Sequence, residues 1–464
     1  MIQNVADALF MPYVVAVLLG GGLFLTLRFG FVQVRRFGDA VRATVARQST
    51  GAAGALTPFQ AFMTALGASI GTGNIAGVAT AIVSGGPGAL FWIWCYGFFA
   101  TATKFAEAVL GIQFRVAQGD QVASGPMYYL RDGLKSPALA LTYAVVAGVA
   151  ALTTTPFTQP NSIAIAVSHE LPSGAMTLPL LGAVDRTAFI TGLVVAVLTW
   201  AVIIGGIKTI GRAAEKLAPL KVALYLVGGL VVIVAHIGSV PSVIATVFRE
   251  AFSLRAAAGT AAGIGVMTAL RYGVARGVYA NEAGYGTAAV AYGTAKSAEP
   301  VQQGLNAVME VFIISFVTST ISALTILVSG VAQQSIDTIR AGGDGLRSTA
   351  AVAAAFNTAM PTAGGYIVAF CAFLFGYTTL IGWAYYGEQF LEYFLGRTVT
   401  LPYRWIYCLL IPFGAVLKPE VVWAWGDLMN ALQVFPNLIG LVGLSGLAAA
   451  FARQALAAKG PPRT

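Results

Sequence analysis

Charged residues are scarce in this chain of 464 residues: they make up 10% of it, whereas 57% of the residues are hydrophobic. Soluble globular proteins carry about 25% charged residues, so this scarcity excludes an ordinary soluble fold and predicts an integral membrane protein. Cysteine is rarer still, with three residues in the chain. Cys95, Cys371 and Cys408 all lie in apolar runs, at spacings that fit neither a zinc site nor a disulfide framework.

The formal net charge is +9. In a soluble protein such an excess would suggest a nucleic-acid partner. In a membrane protein it is the excess of Lys and Arg expected in cytoplasmic loops, so we expect no nucleic-acid partner. No Lys or Arg precedes the first apolar run near Ala8, as a cleavable signal peptide would require. That run is therefore predicted to be a retained helix with its N-terminus outside.

Long hydrophobic runs fill most of the sequence. A helix needs about 20 mostly apolar residues to cross the hydrocarbon core of a bilayer, and about eleven runs approach that length. No soluble domain fits between them, so residues 1–464 are predicted to form a single all-α transmembrane domain. The predicted spans are 8–28, 57–83, 88–113, 137–168, 186–206, 217–238, 259–292, 302–332, 364–395, 402–418 and 427–452.

Basic residues are distributed unevenly over the two sides that these spans would separate. Positively charged loops stay in the cytoplasm, so the sequence predicts an inner or plasma membrane protein with its N-terminus outside and its C-terminus in the cytoplasm. The side predicted to be cytoplasmic carries Arg28, Arg35, Arg36, Arg42, Arg47, Arg115, Arg131, Lys135, Lys208, Arg212, Lys216, Lys221, Lys296, Arg397, Arg404, Arg453, Lys459 and Arg463. The other side carries Arg186, Arg249, Arg255, Arg340, Arg347 and Lys418.

Two spans are interrupted near their middle. The second contains the glycine-rich run 67–77, and the seventh contains the run 279–287. Helical hydrogen bonds are expected to fail there, and freed backbone groups within a membrane must face protein, water or a ligand. Half-helix N-termini offer N–H groups to a carboxylate, and unwound carbonyls offer oxygen to a cation. The small-xxx-small spacing of Gly73 and Gly77 is also compatible with close helix packing.

The two interrupted spans lie five helices apart. An inverted repeat of two five-helix units, preceded by one extra helix, places its broken helices in this way. We therefore predict an extra N-terminal helix at 8–28, a first repeat at 57–238 and a second repeat at 259–452.

Several motifs give the chain a resemblance to a known family. They are Gly71-Thr72-Gly73-Asn74-Ile75-Ala76-Gly77-Val78-Ala79, Gly85-Gly86-Pro87-Gly88-Ala89-Leu90-Phe91-Trp92-Ile93-Trp94, Gly125-Pro126-Met127-Tyr128-Tyr129, Asn281-Glu282-Ala283-Gly284 and Ile381-Gly382-Trp383-Ala384-Tyr385-Tyr386-Gly387-Glu388. Over nearly its whole length, the chain resembles the alanine or glycine:cation symporters of the amino acid–polyamine–organocation superfamily. The resemblance implies a LeuT-type fold.

The chain departs from the family pattern at two places. Family members usually carry an Asp-Thr pair where Ile314-Ser315 stands here. Their Gln-Ala-Asn-Ser motif is similar to Gln159-Pro160-Asn161-Ser162, and Pro160 is expected to deform its helix.

The resemblance also implies sodium ligands. Na⁺ prefers hard oxygen ligands. The implied set is the carbonyls of Gly67, Ile70 and Phe375 and the hydroxyls of Thr378 and Thr379, although threonine hydroxyls can instead bond to their own helix. A second, weaker candidate site involves Ser69 and Asn74, and Asn74 is also compatible with a helix-capping role.

An amino-acid zwitterion needs partners at both ends. Its carboxylate can use the N–H groups of Thr72, Gly73 and Asn74 at a helix start. Its ammonium needs acceptors, for which we predict carbonyls at either break and the Gln159 side-chain oxygen. Trp383 lies one helical turn after Thr379 and is predicted either to form the pocket wall or to be an ordinary packing aromatic.

Ionisable residues inside a span are costly and suggest a function. Glu282 lies in the second break and Glu310 in the eighth span. Glu282 is expected to brace the break through backbone N–H groups, with substrate binding or proton transfer as alternatives. Arg276 is expected to gate the site or steer carboxylates. Lys104 and Glu107 are expected to pair on a helix surface.

The sequence therefore predicts a secondary active transporter that imports alanine or glycine together with Na⁺ by alternating access. The expected partners are the small amino acid, Na⁺ as coupling ion and the lipid bilayer, with no other cofactor. A proton-coupled carrier that uses Glu282 is the alternative. A membrane enzyme is disfavoured because the sequence shows no catalytic cluster or phosphate loop, and a channel because no selectivity motif is visible.

Overall fold

The computed structural model describes residues 2–45, 52–118, 121–179, 182–253 and 265–458. This part of the chain is almost entirely helical. It also contains two short antiparallel hairpins, which pair β1 (Val116–Gln118) with β2 (Gln121–Ala123) and β3 (Ala175–Leu178) with β4 (Gly182–Asp185). Both hairpins lie in connections between predicted spans.

The α-helices are α1 (Ile2–Leu9), α2 (Val15–Arg28), α3 (Val32–Arg35), α4 (Phe37–Val45), α5 (Pro58–Ser69), α6 (Ala76–Gly85), α7 (Ala89–Gln113), α8 (Pro126–Tyr128), α9 (Pro137–Thr153), α10 (Thr155–Glu170), α11 (Arg186–Ile203), α12 (Gly206–Ala235), α13 (Val240–Ala251), α14 (Val266–Asn281), α15 (Thr287–Gly293), α16 (Pro300–Val311), α17 (Ser319–Val328), α18 (Val331–Arg340), α19 (Ser348–Ala359), α20 (Ala363–Leu395), α21 (Thr400–Val416), α22 (Pro419–Gly443) and α23 (Ser445–Ala458). Turns of 3₁₀-helix lie at Thr72–Asn74, Ile237–Ser239 and Arg397–Val399, and π-helical turns at Phe10–Val14, Tyr129–Gly133 and Phe312–Thr318.

By length and apolar composition, seven helices among the described residues can cross a membrane, or up to nine if two bent pairs each count as one span. Of the other predicted spans, 88–113 matches the 25-residue helix α7. The span 259–292 matches α14 and α15, and its first residues, 259–264, lie outside the described residues. The membrane-protein class is confirmed, and the count of eleven stays a prediction.

The second predicted span is interrupted as expected. Its first half begins with a capping box, in which Thr57 Oγ1 accepts from the Gln60 amide at 3.1 Å and Gln60 Oε1 accepts from the Thr57 amide at 3.2 Å. The helix α5 ends at Ser69, and the chain continues at an angle of 60° through a 3₁₀ turn into α6. The interruption lies between α12 and α20, which both pack on α5.

The seventh predicted span is interrupted too. Helix α14 ends at Asn281, and Glu282 then adopts a left-handed conformation with φ of 58°. Gly284 and Gly286 follow with φ of 98° and 85°, a region that glycine enters without the steric cost of a Cβ. The second half-helix α15 starts at Thr287.

Pro160 does not break its helix at its own position. The predicted span 137–168 instead divides at Thr154 into α9 and α10, and Pro160 lies inside α10. Pro156 has no N–H to donate to Leu152 in α9, and Pro160 has none to donate to Pro156 within α10, so one helical hydrogen bond is missing at each position.

Candidate functional site

The first break frees three carbonyls that a continuous helix would use. The Gly71 amide bonds to Ser69 O instead of Gly67 O, and the Asn74 amide bonds to Gly71 O instead of Ile70 O. The Thr72 amide bonds to the side-chain oxygen of Gln159 instead of Ala68 O. The C-terminal end of α5 therefore presents three carbonyl oxygens to its neighbours.

The ammonium group of Lys221 takes two of these carbonyls. Its Nζ donates to Gly67 O at 2.9 Å and to Ile70 O at 2.5 Å. It also donates to the Thr378 hydroxyl oxygen. Gly67, Ile70 and Thr378 are three of the five residues predicted to bind sodium, so the structure gathers these oxygens as expected but around a lysine.

The expectation that Lys221 lies in a cytoplasmic loop was wrong. Helix α12 begins at Gly206, about four turns before Lys221, and Lys221 has no exposed surface. The apolar run starts at 217, later than the helix does, because Lys208, Arg212, Glu215 and Lys216 precede it. Lys221 therefore stands near the start of the run although it lies well inside the helix.

The adjacent threonines of α20 make different contacts. Thr379 Oγ1 donates across to the third freed carbonyl, Ala68 O, at 2.7 Å. Thr378 Oγ1 lies 3.0 Å from Leu374 O and 3.1 Å from Phe375 O of its own helix. The Thr378 hydroxyl therefore donates to carbonyls of its own helix, including that of Phe375, while its oxygen accepts from Lys221.

The second predicted cation site is partly occupied by protein. The Ser69 hydroxyl donates to Glu310 Oε1 at 2.8 Å, and Lys104 Nζ donates to Ser69 Oγ at 3.0 Å. Asn74 Nδ2 lies 3.3 Å from Ser69 O and 3.5 Å from Ala280 O. Asn74 Oδ1 is buried without a hydrogen-bond partner among the described residues, so Asn74 does not cap a helix here.

The expected surface pair of Lys104 and Glu107 was also wrong, because both side chains are buried in α7. Lys104 Nζ forms an ion pair with Glu310 Oε1 at 2.7 Å, and it also donates to the carbonyl of Asn281 at 2.5 Å. Tyr292 donates to the other Glu310 oxygen at 2.8 Å. Lys104 thus caps the C-terminal end of α14, while Glu310 balances its charge.

Glu107 holds the second break. Its Oε1 accepts from the amides of Gly284 and Gly286 at 2.8 and 3.1 Å and from Asn437 Nδ2 at 2.8 Å. A carboxylate at the start of a half-helix satisfies free N–H groups and opposes the positive end of the helix dipole. This is the bracing role expected of Glu282, and the structure gives it to Glu107.

Glu282 makes side-chain contacts instead. Its Oε1 accepts from the indole N–H of Trp383 at 2.6 Å, and its Oε2 accepts from the Thr287 hydroxyl at 2.8 Å. Both Glu282 and Trp383 are almost fully buried. The contact joins the second break to α20, the helix that also carries Thr378 and Thr379.

A small cavity lies between the two breaks. Its volume is about 10 Å³, which is space for about one water molecule, so an amino acid does not fit in this conformation. Its lining includes the predicted residues Ser69, Gly73, Gln159, Thr379, Trp383 and Glu282, together with Gly71, Thr154, Thr155, Tyr279, Tyr285 and Asn430.

Two glycines bring the broken backbone close to its neighbours. A Cβ on Gly71 would lie 2.6 Å from Thr379 Oγ1, and a Cβ on Gly73 would lie 2.6 Å from the Tyr279 ring. Since real Cβ atoms do not approach other atoms so closely, larger residues would force these elements apart. The glycine-rich motif therefore serves close approach at the cavity.

Some of the N–H groups that are predicted to bind a carboxylate already have hydrogen-bond partners. The amide and the hydroxyl of Thr72 both donate to Gln159 Oε1, at 3.0 and 2.9 Å. The Asn74 amide donates to Gly71 O within the 3₁₀ turn. The Gln159 oxygen thus lies where the sequence predicts a substrate carboxylate oxygen.

Aromatic and charged side chains pack around Tyr279, which lines the cavity. The Tyr279 hydroxyl donates to Thr158 Oγ1 at 2.6 Å, and its ring packs against Trp423 at a centroid distance of 4.9 Å. Arg276 forms a buried ion pair with Asp427 and lies 4.8 Å from the centre of the Trp423 ring. Arg276, predicted to gate the site, therefore belongs to a closed layer beside Tyr279.

Sequence reasoning missed several residues of this region. Lys221, Thr154, Thr155, Tyr279 and Asn430 were not predicted to line the site. A signal existed for the polar members, because Thr154, Thr155 and Asn430 interrupt otherwise apolar spans. Nothing in the sequence alone indicates which helices bring them together.

Residues 1–459 match the model of the sodium:alanine symporter family. The chain is 39% identical to the sodium/alanine symporter AgcS of Methanococcus maripaludis, over 96% of this chain and 95% of AgcS. It is 32% identical to the probable sodium/glutamine symporter GlnT of Bacillus subtilis, over 95% of this chain and 87% of GlnT. The crystal structure of MhsT in complex with L-phenylalanine matches 88% of this chain and 99% of MhsT, with a TM-score of 0.58 and 11% identity. That likeness concerns the fold alone and confirms the LeuT-type class.

Proposed function

Because this chain belongs to the sodium:alanine symporter family and is a membrane transporter rather than an enzyme, we propose that it imports a small neutral amino acid, alanine or glycine, together with Na⁺. The observation that carries the proposal is the small closed cavity between two broken helices, lined by free backbone ends, amide and hydroxyl side chains, and aromatic walls. Such half-helix ends suit the opposite charges of a zwitterion and a cation.

The carboxylate of the substrate binds at the N–H groups of Thr72, Gly73 and Asn74. Gln159 Oε1 bonds to the Thr72 amide in the closed structure, so a carboxylate replaces this oxygen when the site opens. The displaced Gln159 side-chain oxygen then accepts from the ammonium. The Glu282 carboxylate, which keeps its bonds to Trp383 and Thr287, accepts with its remaining lone pairs. Trp383 forms the wall that limits the side chain of the substrate, and its bond to Glu282 fixes the orientation of the indole ring.

Asn74 Oδ1 supports a sodium site at the first break. It is a hard oxygen, buried in the first break and without a partner in the described chain. The nearby Ser69 carbonyl and the substrate carboxylate complete part of the ligand set. The other predicted set, formed by Gly67, Ile70, Phe375, Thr378 and Thr379, stays a prediction from the family resemblance.

The architecture that accompanies this function has eleven spans, arranged as an extra helix and two inverted five-helix repeats. The N-terminus lies outside and the C-terminus in the cytoplasm. Alternating access requires the cavity to open to each side in turn, and coupling requires Na⁺ and the amino acid to favour the same state. A cavity too small for the substrate indicates a closed state of this cycle.

A proton-coupled carrier is the second candidate. Glu282 is a buried carboxylate in the cavity wall, and such a group suits proton transfer. The two mechanisms differ in the gradient that drives uptake.

The test is uptake of labelled alanine by the purified protein in liposomes. We expect accumulation under an inward Na⁺ gradient and none under an inward proton gradient without Na⁺. Unlabelled glycine should compete strongly, and glutamine weakly, because the cavity is small. Accumulation driven by protons alone would contradict the sodium proposal and favour the role of Glu282.

A further inference from the structure

We propose that Lys221 is a tethered cation: its ammonium group permanently fills the cation position at the first break, so no sodium ion binds to Gly67, Ile70 and Thr378. Sodium coupling then depends on an ion bound elsewhere, such as beside Asn74. This inference concerns the ion sites of the proposed symporter. Only its statement about where the coupling ion binds rests on the proposed function.

The geometry of the contact matches an ammonium group. A lysine ammonium has three N–H donors and no acceptor, and Lys221 meets three oxygen acceptors: two carbonyls and one threonine hydroxyl. The Thr378 hydroxyl turns its proton towards its own helix and leaves its oxygen for Lys221. Each donor of the ammonium therefore has a partner.

The direct contacts of the Lys221 ammonium are dipoles rather than a carboxylate. In the described part of the chain, no ion pair includes Lys221. The two carbonyl acceptors lie at the C-terminal end of α5, where the helix dipole is negative. Nζ also lies over the Phe375 ring, 5.2 Å from its centre, and the face of an aromatic ring attracts a cation. These are the features that would otherwise attract a free cation.

Lys104 provides a comparison within the same protein. It is equally buried and also caps a half-helix, but it pairs with the carboxylate of Glu310 at 2.7 Å. Each partner of a buried ion pair needs the other, because separating them would leave an uncompensated buried charge. Lys221 has no such partner, so its position is explained by the oxygen cluster alone, which is a cation site by its chemistry.

A sodium ion at the same oxygens would compete with the ammonium for every ligand. The two like charges would also lie within a few ångströms of each other in a buried environment, where repulsion is weakly screened. A transported ion leaves its site in each cycle, whereas a side chain cannot be released. The junction of α5, α12 and α20 is therefore held together without using a sodium ion from solution.

The experiment is a count of bound ²²Na⁺ per chain on the purified, full-length protein at saturating Na⁺. Removing the ammonium in Lys221→Ala should open the oxygen cluster and raise the count by one relative to the wild type. Adding Thr378→Ala to that variant should remove the gain, whereas Thr378→Ala in the wild-type background should leave the count unchanged. Lys216→Ala is the matched control, because Lys216 is an exposed lysine on the same helix.

Two outcomes would overturn the proposal. If Thr378→Ala alone lowers the wild-type count by one, sodium occupies the site beside Lys221. If Lys221→Ala folds and gains no sodium, the oxygens do not form a cation site. If Lys221→Ala fails to fold, the number of sodium ions bound by Thr378→Ala in the wild-type background tests the proposal by itself.

Failure of the proposed function would look different. A wild type that binds no sodium and shows no sodium-driven uptake would refute sodium coupling. The gain of one ion in Lys221→Ala, and its loss on adding Thr378→Ala, would still support the tethered cation.

Discussion

Glu107 offers a quantitative test of how the second break is held. All three of its hydrogen bonds, from Gly284, Gly286 and Asn437, converge on Oε1. In Glu107→Gln an amide oxygen can replace Oε1, so the three bonds persist without the charge. In Glu107→Ala the three buried donors lose their acceptor.

The expected costs of the two variants differ. Hydrogen bonds to charged groups contribute about 1.5–3 kcal/mol each and neutral ones about 0.5–1.5 kcal/mol. Loss of the charge lowers each contribution by about 1–1.5 kcal/mol and therefore costs roughly 3–4.5 kcal/mol for three additive bonds. An unpaired buried donor costs about 1–3 kcal/mol, so three of them cost roughly 3–9 kcal/mol. Glu107→Gln should be clearly destabilised and Glu107→Ala more so.

The assay is the midpoint temperature of unfolding in detergent, followed by alanine uptake for the variants that survive. Glu299→Gln is a suitable control, since Glu299 is exposed just outside α16 and carries the same chemical change. The reasoning would be refuted if Glu107→Ala were as stable as the wild type, or if Glu107→Gln were no more stable than Glu107→Ala.

Three further predictions concern selectivity, the closed layer and topology. Trp383→Ala should improve competition by valine and leucine relative to alanine by about tenfold or more, since one methylene changes discrimination by about 1–3 kcal/mol; an unchanged rank order in competition assays would make Trp383 a packing residue. Asp427→Asn should destabilise the protein by about 3–5 kcal/mol, because Arg276 is left buried without its partner; a double-mutant cycle with Arg276→Gln, measured by thermal unfolding, should show strong coupling, and additive effects would exclude the ion pair as a closing contact. A reporter fused after Pro462 should report the cytoplasm, and one at Met1 the outside; a periplasmic C-terminus would contradict the odd number of spans.

The two breaks could be predicted from the sequence because their signal is local. Several glycines in the middle of a long apolar run weaken the helix at that point, and the motifs around 67–77 and 279–287 are specific. The structure interrupts the helices at both places. The structure also brings the oxygens of Gly67, Ile70 and Thr378 together, since the ammonium group of Lys221 contacts all three.

The charged partners of the breaks could not be predicted because they are distant in sequence. Lys104 and Glu107 stand three residues apart, which is the spacing of a surface pair on a helix. Their actual partners, Glu310 and the amides of Gly284 and Gly286, lie more than 170 residues away. Local pattern therefore favoured the wrong partner for both.

Lys221 was missed for a related reason. A lysine near the start of an apolar run ordinarily marks the membrane boundary, and charged residues there extend towards the interface. What keeps Lys221 inside is the cluster of oxygens freed by a break about 150 residues earlier in the chain. Only the packing of α12 on α5 shows that the lysine has a buried destination.

The half-helix ends at the two breaks follow one electrostatic rule. The carbonyl ends of α5 and α14 receive the ammonium groups of Lys221 and Lys104, and the turn before α15 receives the carboxylate of Glu107. Fixed side chains thus neutralise three of the dipole ends that a broken helix exposes. The remaining end is the start of the 3₁₀ turn and α6, where the Thr72 amide meets only the neutral oxygen of Gln159. A neutral partner is displaced more easily than a charged one, so this is the end at which an incoming carboxylate can bind.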